Sequence, residues 1–325
     1  MNLPLFEKLQ QEGHISPESL ERLKQHPDNR FFSLHGELKL LLYLGILLFS
    51  SGIGVLVYQN LDSIGHQVIL AAMAAICIGC FIYTGRNKAA FTLRKTASPN
   101  ALYDYIVLLG CLMFLSFSGY LQYSYQVFGT HYGLSVFFPM LGMFFCAYYF
   151  DHLGVLSIAI ALLATWAGIS ITPMHILDQN DFTNPYLIFT GIALGLALLA
   201  ASYASEAKNF KKHFAFTYRN FGVHILLISG LAAMYHFEFI LPLIFLLVMV
   251  PVIILYRFAL KQKSFYFLLV SVLYGYIAVT SIFFWLLIKM PDMDLGIIYL
   301  GLFYFIITGI LLVRFLMNSN KKMKS

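Results

Sequence analysis

The chain has 325 residues, of which 60% are hydrophobic and only 11% are charged, against about 25% charged in an ordinary soluble domain. So few charges cannot clothe a water-soluble fold of this length. The net charge of +6 needs no nucleic-acid partner, because basic residues beside apolar segments are the usual orientation signal of a membrane protein.

The first 39 residues are polar and charged, without an apolar core, so the first apolar segment is expected to act as an uncleaved insertion signal. Two short helices are predicted here. Leu5, Phe6 and Leu9 form one apolar stripe, stopped at Glu12-Gly13. Ser16-Pro17-Glu18 supplies a cap, a proline at the first helical position and an acid in the first turn of the second helix, which continues with Leu20 and Leu23 and ends at Pro27. This segment reads either as a cap packing on the inner ends of the spans or as a docking site for a partner.

Ten apolar segments follow, with limits near 40–58, 66–84, 102–120, 134–150, 153–172, 185–204, 221–237, 239–258, 264–288 and 295–316. Each is about the 20 residues that cross a bilayer as a helix. The predicted architecture is therefore all-α: a polytopic transmembrane bundle of about ten spans, with a cytoplasmic cap at 1–39, the bundle at 40–316 and a basic cytoplasmic tail at 317–325. Two turns are very tight, at Asp151-His152 and at His236-Phe237-Glu238. Charge supports both: with the amino terminus inside, twenty of the 21 Lys and Arg residues fall on the inner side, and Lys289 alone falls outside. Merging either pair of segments would invert everything downstream and destroy that bias.

Taken in chain order, the possible sites are sparse. Ala71, Ala75 and Gly79 form a row of small residues in the second span, and Gly191 and Gly195 form a GxxxG element in the sixth. Such spacing lets helices approach closely, within the bundle or between two copies of the chain. Cys77-Ile78-Gly79-Cys80 has a CxxC spacing that on a helix puts both thiols on one face, open to a shared metal or to plain apolar packing. Asp104 lies about one turn into the third span, where the helix dipole favours an acid; it is either structural or a cation or proton site. His224 holds a comparable place in the seventh span, where a single hydrogen-bonding partner would satisfy it. Pro139 and Pro251 interrupt their spans. No span carries an Arg–Asp or Lys–Glu pair at its centre, which argues against a buried charged relay.

Under this topology the outer face gathers acids and imidazoles: His66, His131, His175 and His236 with Asp62, Asp178, Asp181, Glu238, Asp292 and Asp294. Imidazole and carboxylate are zinc-type ligands, and His175, His236 and Glu238 are the metal candidates, although no standard spacing such as HExxH occurs. The other reading is that only cations were excluded from this face. A second outer cluster, Tyr120-Leu121-Gln122-Tyr123-Ser124-Tyr125-Gln126-Val127-Phe128-Gly129, offers rings and amides for a sugar or lipid headgroup, or forms an interfacial turn. Asp104, Tyr120, Gln122, Tyr123, Tyr125, Gln126 and His131 are the substrate-binding candidates.

Leu44-Gly45-Ile46-Leu47-Leu48, continuing through Gly52-Ile53-Gly54 to Tyr58-Gln59-Asn60-Leu61-Asp62, resembles the opening of the bacterial predicted membrane proteins called domain of unknown function 2157. Gly13-His14-Ile15-Ser16-Pro17-Glu18 is similar to that family's polar leader, and Tyr125-Gln126-Val127-Phe128-Gly129 to an outer turn. Leu61 stands where the family pattern has a tryptophan. The likeness runs over residues 1–170 and implies a polytopic bacterial inner-membrane protein. It implies no activity.

No nucleotide-binding loop, GxSxG element or soluble enzyme domain is present in the sequence. The expected function is a non-enzymatic carrier or handler of a lipid-like or small neutral solute, with membrane lipid as partner and no cofactor. The alternatives are an envelope assembly or scaffold protein using the amino-terminal helices, and a membrane-face enzyme using the outer His and acid residues. A homodimer and an envelope protein partner both remain open.

Overall fold

The computed structural model describes residues 34–59, 65–96, 98–100, 102–129, 131–171, 184–289 and 294–324, with isolated positions 10, 12, 15, 16, 18 and 21. The two short helices expected before residue 28 otherwise lie outside the described residues. Among the described residues there are ten α-helices and no strand: α1 (Leu34–Gln59), α2 (His66–Asn87), α3 (Tyr103–Tyr125), α4 (Tyr132–Phe150), α5 (Leu153–Ile171), α6 (Pro185–Ala207), α7 (Ala215–His236), α8 (Leu241–Lys261), α9 (Phe265–Ile288) and α10 (Asp294–Lys324). Each expected apolar segment falls on one of them. Helix is the natural solution for such a chain, because it satisfies every backbone group within the segment itself.

The chain divides into two units, Met1–Gly65 and His66–Ser325. The first contains α1, in whose apolar body the Ser51 hydroxyl donates to the Leu47 carbonyl at 2.8 Å. The second contains the other nine helices.

Within the second unit each helix runs antiparallel to the next. Cys77 of α2 donates to the Gly110 carbonyl of α3, while His66, eleven residues earlier, meets Tyr120, ten residues later. Phe137 and Trp166 lie at equal distances in sequence from the Asp151-His152 turn, and their rings pack at 5.3 Å, so α4 and α5 form a hairpin. Gly230 of α7 faces Val248 of α8 across the second tight turn, which a short 3-10 helix at Glu238–Ile240 makes. Tyr276 bonds Thr308 and Thr280 bonds Tyr304, each step forward along α9 matched by a step back along α10. Both tight turns are therefore chain reversals. The first is closed by Asp151 in the left-handed conformation (φ 58°), with its N–H bonded to the Ala147 carbonyl.

This alternation brings segments 88–96, 98–100, 151–152, 208–214 and 262–264 to one face. From Arg86 onward every Lys and Arg belongs to that side except Lys289, and we call it the basic face.

Among the described residues, seven helices are long and apolar enough to cross a membrane: α2, α3, α4, α6, α8 with its leading turn, α9 and α10 from Tyr299. α1 and α5 contain shorter apolar stretches, Leu40–Leu56 and Leu153–Gly168. α7 is not among them; Arg219, Asn220 and His224 lie in its first three turns.

The glycine motif of α6 holds α6 against α7. A Cβ at Gly195 would meet the Leu226 backbone nitrogen at 2.7 Å, and one at Gly222 would meet the Gly195 carbonyl oxygen at 3.0 Å. The small-residue row of α2 behaves differently: Ala71, Ala75 and Gly79 are exposed, and nothing lies within 4 Å of a Cβ at Gly79.

Candidate functional site

The aromatic–amide segment opposite the basic face is organised by its own side chains. Gln122 holds the turn after α3: its amide donates to the Gly129 carbonyl at 3.0 Å and its oxygen accepts from the Phe128 N–H at 3.0 Å. Gln126 ends α3 in the left-handed conformation (φ 45°) and bonds back to the Gln122 carbonyl. The Tyr120 hydroxyl bonds His66 Nδ1 at 2.8 Å, with the Ser124 hydroxyl 3.5 Å from the same nitrogen. Tyr123 and Tyr125 are exposed, and the His131 side chain is exposed at the start of α4.

Asp104 does not join these residues. It sits in the first turn of α3 at the basic face and accepts from the Ser98 hydroxyl at 2.7 Å. Tyr120 lies sixteen residues further along the same helix, about 24 Å away at 1.5 Å per residue. The candidate substrate residues thus split between the two ends of α3.

Of the metal candidates, His175 lies outside the described residues. His236 is exposed, its ring edge-on to Phe237 at 4.5 Å. Glu238 lines a cavity of about 450 Å³ with Tyr235, Ser281 and Trp285. Among the described residues no three His, Cys, Asp or Glu side chains are arranged to hold a metal ion. The CxxC pair does not stand alone either: Cys77 and Cys80 lie near Cys111 and Cys146 where α2, α3 and α4 meet. All four are free thiols.

His224 has two partners where the sequence reading required one. Nδ1 lies 2.9 Å from the Tyr274 hydroxyl and Nε2 lies 2.9 Å from the Tyr266 hydroxyl. Tyr266 donates its proton to Asn220 Oδ1, so its oxygen can only accept from the ring. Neutral His224 then carries its proton on Nε2 and accepts at Nδ1 from Tyr274. This closed network ties α7 to α9.

Sequence reasoning missed the ionic knot at the basic face. Asp151 and Lys211 are 6% and 1% exposed, and Lys211 Nζ lies 3.1 Å from Asp151 Oδ1. His213 Nε2 lies 2.6 Å from the same oxygen, and Oδ2 accepts from the Thr96 N–H at 2.7 Å. The Lys211 N–H donates to the Leu93 carbonyl at 2.8 Å. Burial pushes the Asp151 carboxyl up, but the Thr96 N–H, the Lys211 ammonium and His213 together hold it below its ordinary value. Both Asp151 (φ 58°) and Lys211 (φ 47°) have left-handed backbones, a cost kept only where the surroundings over-determine it. Three connections are pinned together here. The available signal was an acid alone in a two-residue turn on the side that carries the basic connections.

A large concavity among the described residues is apolar. A groove of about 760 Å³ lies between α6 and α8, over a floor formed by α7. Its walls include Ile192, Leu196, Leu247 and Ile254, and its floor includes Gly230 and Ala233. It extends from Phe237 and Ile240 at one end to Arg219 and Phe258 at the basic end. The eighteen residue steps from Arg219 to Phe237, the residue that caps α7, span about 27 Å, close to the roughly 30 Å hydrocarbon thickness. Pro251 lies in the wall; it has no N–H to offer the Leu247 carbonyl. Arg219 is the one cationic lining residue. Its guanidinium lies over the Phe258 ring at 4.3 Å and 2.7 Å from Glu206 Oε2.

No curated protein and no solved structure matches the chain. Residues 7–156, which carry the leader, α1 to α4 and the first residues of α5, match the family described as Predicted membrane protein (DUF2157), in line with the likeness at residues 44–62 and 125–129.

Proposed function

We propose that this protein is a ten-span bundle of the bacterial cytoplasmic membrane, with both termini inside, that handles a lipid-like solute from within the plane of the bilayer. The groove between α6 and α8 carries this reading. It is lined almost throughout by aliphatic and aromatic side chains, has about the length of the hydrocarbon layer, and contains no charged relay. An apolar concavity with a few polar groups at one end is the usual form of a small-molecule site. The basic face supports the orientation, because cationic connections are retained in the cytoplasm.

The test is reconstitution into liposomes containing a trace of fluorescent, chain-labelled lipid. Leu196 and Leu247 stand on opposite walls and are 53% and 63% exposed, so Leu196→Trp with Leu247→Trp fills the groove without repacking the core. Lipid retention and transbilayer movement above protein-free liposomes should both fall in the double variant. Equal values for parent, double variant and empty liposomes would remove the proposal.

A further inference from the structure

From the groove's basic end we infer that its occupant is an anionic phospholipid of the leaflet on the basic face, with one acyl chain along α7 and its phosphate against Arg219. This rests on the groove being a lipid site and adds the class of headgroup.

Charge and shape both point to this occupant. The walls offer an acyl chain continuous apolar contact and no mid-depth charge to desolvate. Polarity begins at Arg219, about one turn into α7, where a headgroup would reach water. The Arg219 side chain is 15% exposed, and its guanidinium lies over the Phe258 ring. It has five N–H donors in a planar fork suited to phosphate oxygens. Its described polar partner is one carboxylate oxygen of Glu206, which leaves donors for a second anion. Glu206 is 37% exposed and can move toward water. Lys208, Lys212, Arg257 and Lys261 stand at the basic ends of the three groove helices and are exposed. Glu206 is the one acid among them. The opposite end, at Phe189, Phe237 and Ile240, has no cationic lining residue, so a phosphate is favoured at one end only.

The full chain is reconstituted into vesicles carrying a phospholipid with a photoactivatable group in its acyl chain, either phosphatidylglycerol or phosphatidylcholine. Cross-linked peptides are mapped and the two headgroups compared. Labelling is expected on the α6 and α8 walls with both lipids and more strongly with phosphatidylglycerol. A basic side chain near the membrane surface is worth about fivefold in anionic-lipid binding. Arg219→Gln should therefore lower the headgroup preference by about fivefold, Arg219→Lys should retain most of it, and Glu206→Gln should raise it by removing the competing carboxylate. Arg314→Gln, on α10 and outside the groove lining, should leave it unchanged. Groove labelling without headgroup preference, or a preference that Arg219→Gln and Arg314→Gln reduce equally, overturns the anionic assignment while the lipid groove stands. Labelling absent from the groove with both lipids overturns the groove reading itself.

Discussion

Replacing Asp151 by Asn removes one negative charge from a place where Lys211 cannot escape to water. The Lys211 side chain is 1% exposed, and Asp151 is its carboxylate, at 3.1 Å. The same carboxylate serves His213 through Oδ1 and the Thr96 N–H through Oδ2. An asparagine keeps one acceptor oxygen and presents an NH₂ group to the other side. In either rotamer a donor now faces the Thr96 N–H, or the pair Lys211 and His213. Breaking a buried pair by removing one partner costs about 3–5 kcal/mol, because the remaining charge is left uncompensated. Thermal unfolding of the purified protein in mild detergent, read by retained monodisperse fraction, should show a large loss for Asp151→Asn. Lys211→Met keeps the aliphatic stem and leaves Asp151 with His213 and the Thr96 N–H as partners, so it should cost less. Combined, the two should cost clearly less than the sum of the single changes, with a coupling of about 1–3 kcal/mol. Acid should act on the same contact. The folded carboxyl is held below its ordinary value, so its contribution is present above the unfolded value of about 3.9 and is lost as pH falls through the lower folded value. The parent should therefore lose stability below about pH 4 more steeply than Asp151→Asn. An Asp151→Asn protein as stable as the parent, with additive effects in the pair, would refute the view that this contact holds the basic face together.

Three further outcomes follow from particular contacts. Gly195→Ala should destabilise the second unit by about 1–3 kcal/mol in the same assay, since the new methyl group meets Leu226 backbone, whereas Gly79→Ala on α2 meets nothing within 4 Å and should be neutral or gain up to about 1 kcal/mol from helix propensity. Gln122→Ala removes both side-chain bonds that close the turn after α3, so amide exchange at Phe128 and Gly129 should rise about tenfold while exchange along α6 and α7 is unchanged, for a loss on the order of 1–2 kcal/mol. In whole cells, an impermeant thiol reagent should label Tyr123→Cys and spare Asn209→Cys and Gln262→Cys until the membrane is opened; labelling of the last two from outside would reverse the proposed orientation.

Composition and segment length alone were enough to make this chain a membrane helix bundle, because a run of apolar residues long enough for the bilayer has few alternatives to a helix. The position of each helix and the two tight turns were also legible, since a helix hairpin with two or three connecting residues leaves a break in hydropathy and a switch in charge bias. Contacts were not legible. Gly191 and Gly195 announced a close approach without naming α7 as the partner, and the similar row on α2 is exposed in its unit, because spacing alone does not distinguish a used helix face from an open one. Asp104 and the Tyr120–His131 segment looked like one set of polar candidates, yet one helix length separates them. Lys211 counted only as an orientation charge, and Asp151 only as a turn residue, until the reversal of α4 into α5 brought the acid beneath the 208–214 connection. The groove has the same origin. Each of its walls is an unremarkable apolar helix, and only the packing of α6 and α8 on either side of α7 turns three such surfaces into a concavity with a guanidinium at one end.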